Sequence, residues 1–480
     1  MFNPDILSSN ESFTDQVIGV YPVAYLNVSQ DAKEGYGELS IPVLADLPFI
    51  KSFTLNPGVR FSSYDTSKGG WTYKILGDYE LNDWIRLRGG YNLAVRAPNL
   101  GELYEGLTEV FGSGTDYGDP CSLLSKAPFG AGGAGIAQGQ TVATPVTNSG
   151  GAAGAANALA ICKALMTPAA QQYFYNTPGV SQPTPGPTSF GWHNVQGNPN
   201  LLPETAKTFT AGVVLKSPFQ NPLFNRINLS IDYYKIHIDD AIEFASVDYV
   251  YQQCLSQPAA TALSSIYCQA IQRSPQFGGQ LLTGTPAANQ ATIDTSGVDV
   301  QLDWSLQMSD VRKDIPGRFS LSVISNFLGN YDTTSAPGQA VQRWYGTLGP
   351  TLTGTNGGAY RYKLNTTFGY SVGPATISLN WRHLPQVGAA SSISPGNTVL
   401  PTSAYDIFDL NTLWNLPHRL QLRAGIQNLL DVSPPTTGAT SAVYVNGLQQ
   451  TVASTGQGTT NPAFYDPLGR RLYIGLKARF

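Results

Sequence analysis

Apolar and polar residues alternate one by one through stretch after stretch of this chain, the period of a strand whose two faces meet different surroundings. In 84–96, Ile85, Leu87, Tyr91, Leu93 and Val95 oppose Arg86, Arg88, Asn92 and Arg96. In 298–306, Val298, Val300, Leu302, Trp304 and Leu306 oppose Asp299, Gln301, Asp303 and Ser305. Residues 361–370 set Tyr362, Leu364, Phe368 and Tyr370 against Arg361, Lys363, Asn365 and Thr367, and 420–427 set Leu420, Leu422, Ala424 and Ile426 against Gln421, Arg423 and Gln427. Weaker versions run through 52–62, 71–79, 208–215, 227–233, 318–327, 375–382 and 405–414, with further strands expected near 35–44 and 16–27. The last segment places Leu472, Ile474, Leu476, Ala478 and Phe480 opposite Arg471, Tyr473, Gly475, Lys477 and Arg479, and the sequence ends on that aromatic residue.

One face of nearly every segment carries Arg, Lys or Asp while the other is uniformly apolar. A sheet closed around a broad aqueous lumen, with lipid outside, satisfies both faces at once. The expected fold is all-β, an antiparallel transmembrane β-barrel with long extracellular loops. Composition agrees: charged residues make up 12% of the chain, against roughly 25% in soluble domains. The 25 Tyr, 7 Trp and 20 Phe can furnish aromatic girdles, and the 50 Gly and 33 Pro suit turns and loops. The net charge of −4 gives no basic footprint for nucleic acid. No segment has the roughly 18 uninterrupted apolar residues of a membrane helix. The start, Met1-Phe-Asn-Pro-Asp-Ile-Leu, lacks the basic and apolar regions of a signal peptide, so the signal is expected to have been removed or the chain to be a piece of something longer.

Connections of two lengths set the direction. The turns at 80–83, 217–225, 371–374 and 415–418 read as periplasmic, and the long stretches 97–203, 239–292, 328–358, 386–402 and 431–466 as extracellular. The two kinds alternate if 337–349 belongs to an excursion, which predicts thirteen spanning strands from residue 35 onward and fourteen with 16–27. Residues 1–15 read as an irregular segment and 16–480 as the barrel. In 227–238 the apolar set changes phase after Tyr233-Tyr234, predicting a bulge there.

Several motifs then fall in one order. Asn92-Leu-Ala-Val-Arg-Ala-Pro-Asn-Leu-Gly-Glu-Leu-Tyr104 opens the largest loop, and Gly197-Asn-Pro-Asn-Leu-Leu-Pro-Glu-Thr205 closes it. Leu229-Ser-Ile-Asp-Tyr-Tyr234 with Ile238-Asp-Asp-Ala-Ile242, Thr295-Ser-Gly-Val-Asp299, Gln427-Asn-Leu-Leu-Asp431 and Tyr465-Asp-Pro-Leu-Gly-Arg-Arg471 follow. Over 35–480 the chain resembles the TonB-dependent outer-membrane receptors. The resemblance implies a Gram-negative outer-membrane location, lipid around the barrel, and energised uptake of a scarce bulky ligand such as a siderophore or carbohydrate. It covers about fourteen of the family's strands, about 22 in all. No plug domain is found before residue 16, so the chain is read as a fragment, and the TonB complex would act only through that missing plug. Tyr473, Gly475, Leu476 and Phe480 correspond to the terminal signal read by the barrel-assembly machinery. The rival function is a non-transporting outer-membrane barrel for binding or adhesion.

The four cysteines lie in the long stretches, Cys121 and Cys162 in one, Cys254 and Cys268 in another. Three connectivities exist; loop membership favours one disulfide within each stretch. A metal site is the rival, but the spacings do not suit one. His193, His237, His383 and His418 each stand without a His or Cys at ligand spacing, and no cofactor, metal or catalytic set is expected. Arg96, Glu102 and Tyr104 mark the junction of lumen and loop, where anchoring the junction is favoured over contact with ligand.

Overall fold

The structure, a computed structural model, describes residues 26–105, 108–113, 117–180, 190–348, 358–388, 402–435, 440–445, 448–453, 460 and 464–478. The expected irregular segment 1–15, most of the expected strand 16–27, and Phe480 lie outside them.

The strands in chain order are β1 (Ala32–Glu38), β2 (Ile41–Leu47), β3 (Ile50–Tyr64), β4 (Gly70–Glu80), β5 (Ile85–Arg96), β6 (Thr108–Ser113), β7 (Phe190–Gln196), β8 (Glu204–Lys216), β9 (Ile227–Phe244) and β10 (Ile271–Arg273). There follow β11 (Gln280–Gln307), β12 (Arg318–Thr334), β13 (Gln342–Arg343), β14 (Tyr362–Val372), β15 (Ala375–Leu384), β16 (Tyr405–Leu416), β17 (Leu420–Gln427), β18 (Thr440–Val445), β19 (Leu448–Ala453) and β20 (Arg471–Ala478). β1 and β2 both pair with β3 as two halves of one edge, and the antiparallel ladder runs on through β4, β5, β8, β9, β11, β12, β14, β15, β16, β17 and β20. Every segment the alternation marked between 35 and 478 is in that ladder. Among the described residues β20 pairs with β17 alone and no pairing joins it to β1 or β2, so the sheet is open along those two edges. Among its described residues the stretch 337–349 holds only the short β13, hydrogen-bonded at Asp332–Thr333 to the top of β12, and these do not span.

Register puts like faces together. Ile231 lies opposite Val300 and Leu229 opposite Leu302, while Asp232 lies opposite Asp299 on the other face. The apolar face stays uncovered: Ile75 is 49% exposed, Ile377 48% and Ile474 77%, which in water would be prohibitive and in hydrocarbon is the favourable arrangement. Two belts of paired aromatic rings border it. Phe53 with Tyr79 and Trp304 with Phe319 lie near the short turns; Phe61 with Trp71, Tyr73 with Tyr91, Phe209 with Tyr233 and Phe327 with Tyr362 lie toward the long connections. Aromatic rings favour the interface between hydrocarbon and headgroups.

The bulge is not where the phase change suggested. β8 and β9 pair without interruption from Asn228 to Asp239, and the irregularity against β11 falls at Asp239–Asp240, where Asp240 has φ of 56°. The polar outer residues Lys235, His237 and Asp239 lie beyond the Phe209–Tyr233 belt. The alternation changes at Tyr234 because the strand leaves the hydrocarbon there, not because its register slips.

The described parts of 97–203 and 239–292 hold regular structure of their own. β9 runs on to Phe244 and β11 begins at Gln280, so both strands extend into 239–292. Helices span Leu100–Tyr104, Gly151–Ala164, Pro168–Asn176, Val247–Leu255 and Ile266–Gln269. β6 pairs with β7, and β7 and β10 pair with the start of β11, tying the two stretches into one body. The Ala/Gly-rich segment forms a helix because alanine is the best helix former. Its small side chains Ala155 and Ala158, with Ile161 and Cys162, pack into a shared core with Val250, Tyr251 and Leu255.

Candidate ligand-binding face

The inner wall of the barrel is an ion-pair lattice. Glu38 accepts from Lys74 at 2.8 Å, Asp232 from the Arg88 fork at 2.7 and 2.6 Å, and Asp409 lies 3.1 Å from Arg382; Glu34–Arg60 and Asp78–Arg86 are further cross-strand pairs. Gly212 makes room for one of them, since a Cβ there would come within 2.0 Å of the Asp232 carboxylate. These pairs are half-exposed to the lumen and screened, so each adds little stability. Their product is a hydrated, nearly neutral inner wall.

Arg96 at the top of β5 is the most heavily bonded of the expected junction residues. Its guanidinium donates to Glu204 at 2.6 Å twice and to both oxygens of Glu102 at 3.0 Å. Glu102 also closes a capping box with Asn99 at the start of the 100–104 helix, and Glu204 accepts from the backbone N–H of Ile242 at 2.7 Å. One guanidinium therefore joins β5, β8, β9 and the first turn of the loop. Tyr104 packs against the small core of Leu103, Leu201 and Ala287. With every hydrogen-bonding edge of Arg96 and Glu102 engaged, this geometry is an anchor. At the other end of the chain, Tyr473 donates to Asn411 at 2.7 Å and its ring lies over Gly425, where a Cβ would meet the ring at 2.5 Å. Leu476 is 66% exposed on the apolar face, and Gly475 has open space around it.

The cysteines pair as their loop membership suggested. Cys121 bonds Cys162 with Cα atoms 5.6 Å apart, and Cys254 bonds Cys268 at 4.8 Å. Between the two disulfides lies a feature the sequence did not announce. Arg273, wholly buried, donates to Asp119 at 3.0 and 2.5 Å, to the Gly278 carbonyl at 2.8 Å and to the Tyr251 hydroxyl at 3.3 Å, above the Phe174 ring. Burial pushes the Tyr251 phenol up to about 12, and the facing Asp119 carboxylate holds the guanidinium firmly charged. Asp119 and Arg273 are 154 residues apart, so no spacing rule could have joined them.

Three connections meet around a cavity of about 610 Å3. The first supplies Tyr117, Phe129 and His193, the second Ser246, Asp248 and Gln252, the third Ser335, Gln339 and Gln342, and Thr285 of β11 closes the wall. Gln339 donates to Gln252 at 2.7 Å across it. Burial lowers the pKa of His193, so its imidazole is neutral, and its Nδ1 is buried with no hydrogen-bond partner among the described residues. A second cavity of about 330 Å3 shares Pro128, Phe129 and Gln252 with the first and adds Asn148, Asn157 and Ser256. Sequence reasoning left His193 as an isolated residue because its neighbours come from other loops. His237, equally isolated in sequence, lies 2.8 Å from Asp239 and 2.7 Å from Asp294, with Lys207 also on Asp239, in a balanced ion network outside the barrel above the aromatic belt.

The model of the TonB dependent receptor-like β-barrel matches residues 4–151 and 153–429. The chain belongs to that family. Its place is accordingly the outer membrane of a Gram-negative cell, and members of this receptor family are receptors and transporters. Among solved structures, the siderophore receptor PirA of Acinetobacter baumannii matches 94% of the chain at 13% identity and a TM-score of 0.51, with 46% of that receptor covered. A mutant of the ferric enterobactin receptor PfeA of Pseudomonas aeruginosa matches 93% of the chain at 14% identity and a TM-score of 0.51, with 44% covered. At such identity the likeness is one of fold. The TonB-dependent receptor barrel described here thus spans less than half the length of those receptors. No curated protein matches the sequence.

Proposed function

We propose that this chain forms the barrel and extracellular cap of a TonB-dependent receptor that captures a scarce, bulky ligand outside the cell and admits it through the lumen under energy coupling. The observation that carries the reading is the cap: three connections of a family barrel fold around one cavity beside the top of a hydrated, ion-paired inner wall. The Arg96 cluster ties the cap's first loop to three barrel strands, so the barrel and the base of the cap are held as one unit. In the family's scheme energy reaches the ligand through a plug pulled by the TonB complex, and that plug and complex are the partners this reading implies.

The test is accumulation by whole cells producing the receptor as its gene encodes it. Uptake of the ligand should depend on the gene and collapse when the inner-membrane proton gradient is dissipated. Ligand entry that persists without the gradient, or a gene whose loss removes surface attachment but leaves uptake unchanged, would replace this reading with a passive or adhesive barrel.

A further inference from the structure

We infer that the ligand held by the cap is a neutral polyhydroxylated molecule, an oligosaccharide, rather than an anionic iron chelate; this rests on the receptor function proposed above and specifies its ligand. The first ground is charge. The connections 97–203, 245–279, 328–358, 386–402 and 431–466 together carry four basic side chains, Lys126, Lys163, Arg273 and Arg343, against nine acidic ones. None of the four lines either cavity. Arg273 is committed to Asp119 in the core, Lys163 sits over the Tyr175 ring, and Arg343 lines a separate groove with Asp294 and Asp332. A multiply anionic chelate would meet one carboxylate, Asp248, and no cation. Binding sites for anions of that kind rely on guanidinium or ammonium groups.

The second ground is the lining itself. Gln252, Gln339 and Gln342 each offer a planar group that both donates and accepts, as vicinal hydroxyls require. Ser256 adds a hydroxyl in the second cavity, where the Asn148 and Asn157 amides are spent on backbone groups. The Tyr117 ring, held edge-to-face against the buried Phe129 ring with centroids 6.2 Å apart, presents an exposed apolar face on which the C–H face of a sugar ring rests. Phe129 and Gln252 belong to both cavities, so a linear ligand of a few sugar units can run from one into the other, while a compact chelate fills only one.

The test uses the purified full chain in detergent, titrated calorimetrically with neutral glucose, xylose and mannose trisaccharides, a ferric tris-catecholate and a neutral ferric tris-hydroxamate. At least one trisaccharide should bind, with an affinity that does not change with salt, and neither chelate should. Tyr117→Ala, at a residue 41% exposed, should weaken that binding about three- to tenfold with the hydrogen exchange of the cap helices unchanged, and Gln252→Ala should do the same. Lys163→Ala should not alter it. Binding of either chelate in place of the sugars, sugar binding indifferent to both cavity variants, or no binding by any neutral sugar overturns the assignment. The two readings fail separately: energised uptake of a chelate would keep the receptor function and discard the ligand class, whereas sugar binding without energised uptake would do the reverse.

Discussion

Removing Asp119 should unfasten the extracellular cap while leaving the barrel intact. The Arg273 side chain is 0% exposed and Asp119 15%, so Asp119→Ala strands a guanidinium in the core with only the Gly278 carbonyl and the Tyr251 hydroxyl as partners. Breaking one side of a buried pair costs about 3–5 kcal/mol, because the remaining charge has lost both its counter-ion and its water. Pairing energy is a smaller part of that sum, so replacing both residues, Asp119→Leu with Arg273→Met, should restore most of the loss. Hydrogen exchange followed by mass spectrometry reads both. In Asp119→Ala, peptides from the helices at 168–176 and 247–255, which pack in the same core, should exchange at least about a hundredfold faster. Peptides from 298–306, held by ladders on both sides, should not change. Unchanged protection of the two helices in Asp119→Ala would refute the argument, and equal loosening in the double replacement would show that shape, not charge, holds the core.

Leu476→Arg should hinder insertion into bilayers by about 2–4 kcal/mol if the residue lies near the midplane, while Lys477→Leu should be mild; folding titrations in urea with lipid vesicles compare them, and equal effects would remove the assignment of the two faces of β20. Replacing Cys121 and Cys162 together by Ser should cost about 4 kcal/mol in the chain-entropy account and Cys254 with Cys268 about 3 kcal/mol, in line with loop separations of 41 and 14; proteolysis of the cap with trypsin in the absence of reductant checks the order, and a reversed order would count against it. Burial holds the folded-state pKa of His193 below its unfolded value of about 6.5, so the unfolded cap binds more protons between those two values. Stability contributed by the neutral imidazole is full above about pH 6.5 and declines as pH falls below it; exchange of cap peptides should accelerate on acidification, and His193→Gln should blunt that response.

The sequence by itself determined the barrel. A period of two with opposed surroundings is written residue by residue, since each strand's faces meet lipid and water directly, and register follows because a one-residue slip would turn every Arg and Asp into hydrocarbon. The thirteen strands from β1/β2 to β20 and the cysteine pairing were both legible from such local signals. Local signals also misled where the surroundings changed along one strand: the phase change at Tyr233-Tyr234 read as a bulge because nothing in the sequence marks the height at which lipid ends. Only the tertiary structure decided the cap. Its core unites the 151–164 helix, the 247–255 helix and the Asp119–Arg273 pair, and its cavity draws Tyr117, His193, Gln252 and Gln339 from three separate connections. Contacts between residues so far apart in sequence leave no period to read, because they are selected by shape and by charge neutralised on burial, and those exist only once the chain has brought the loops together.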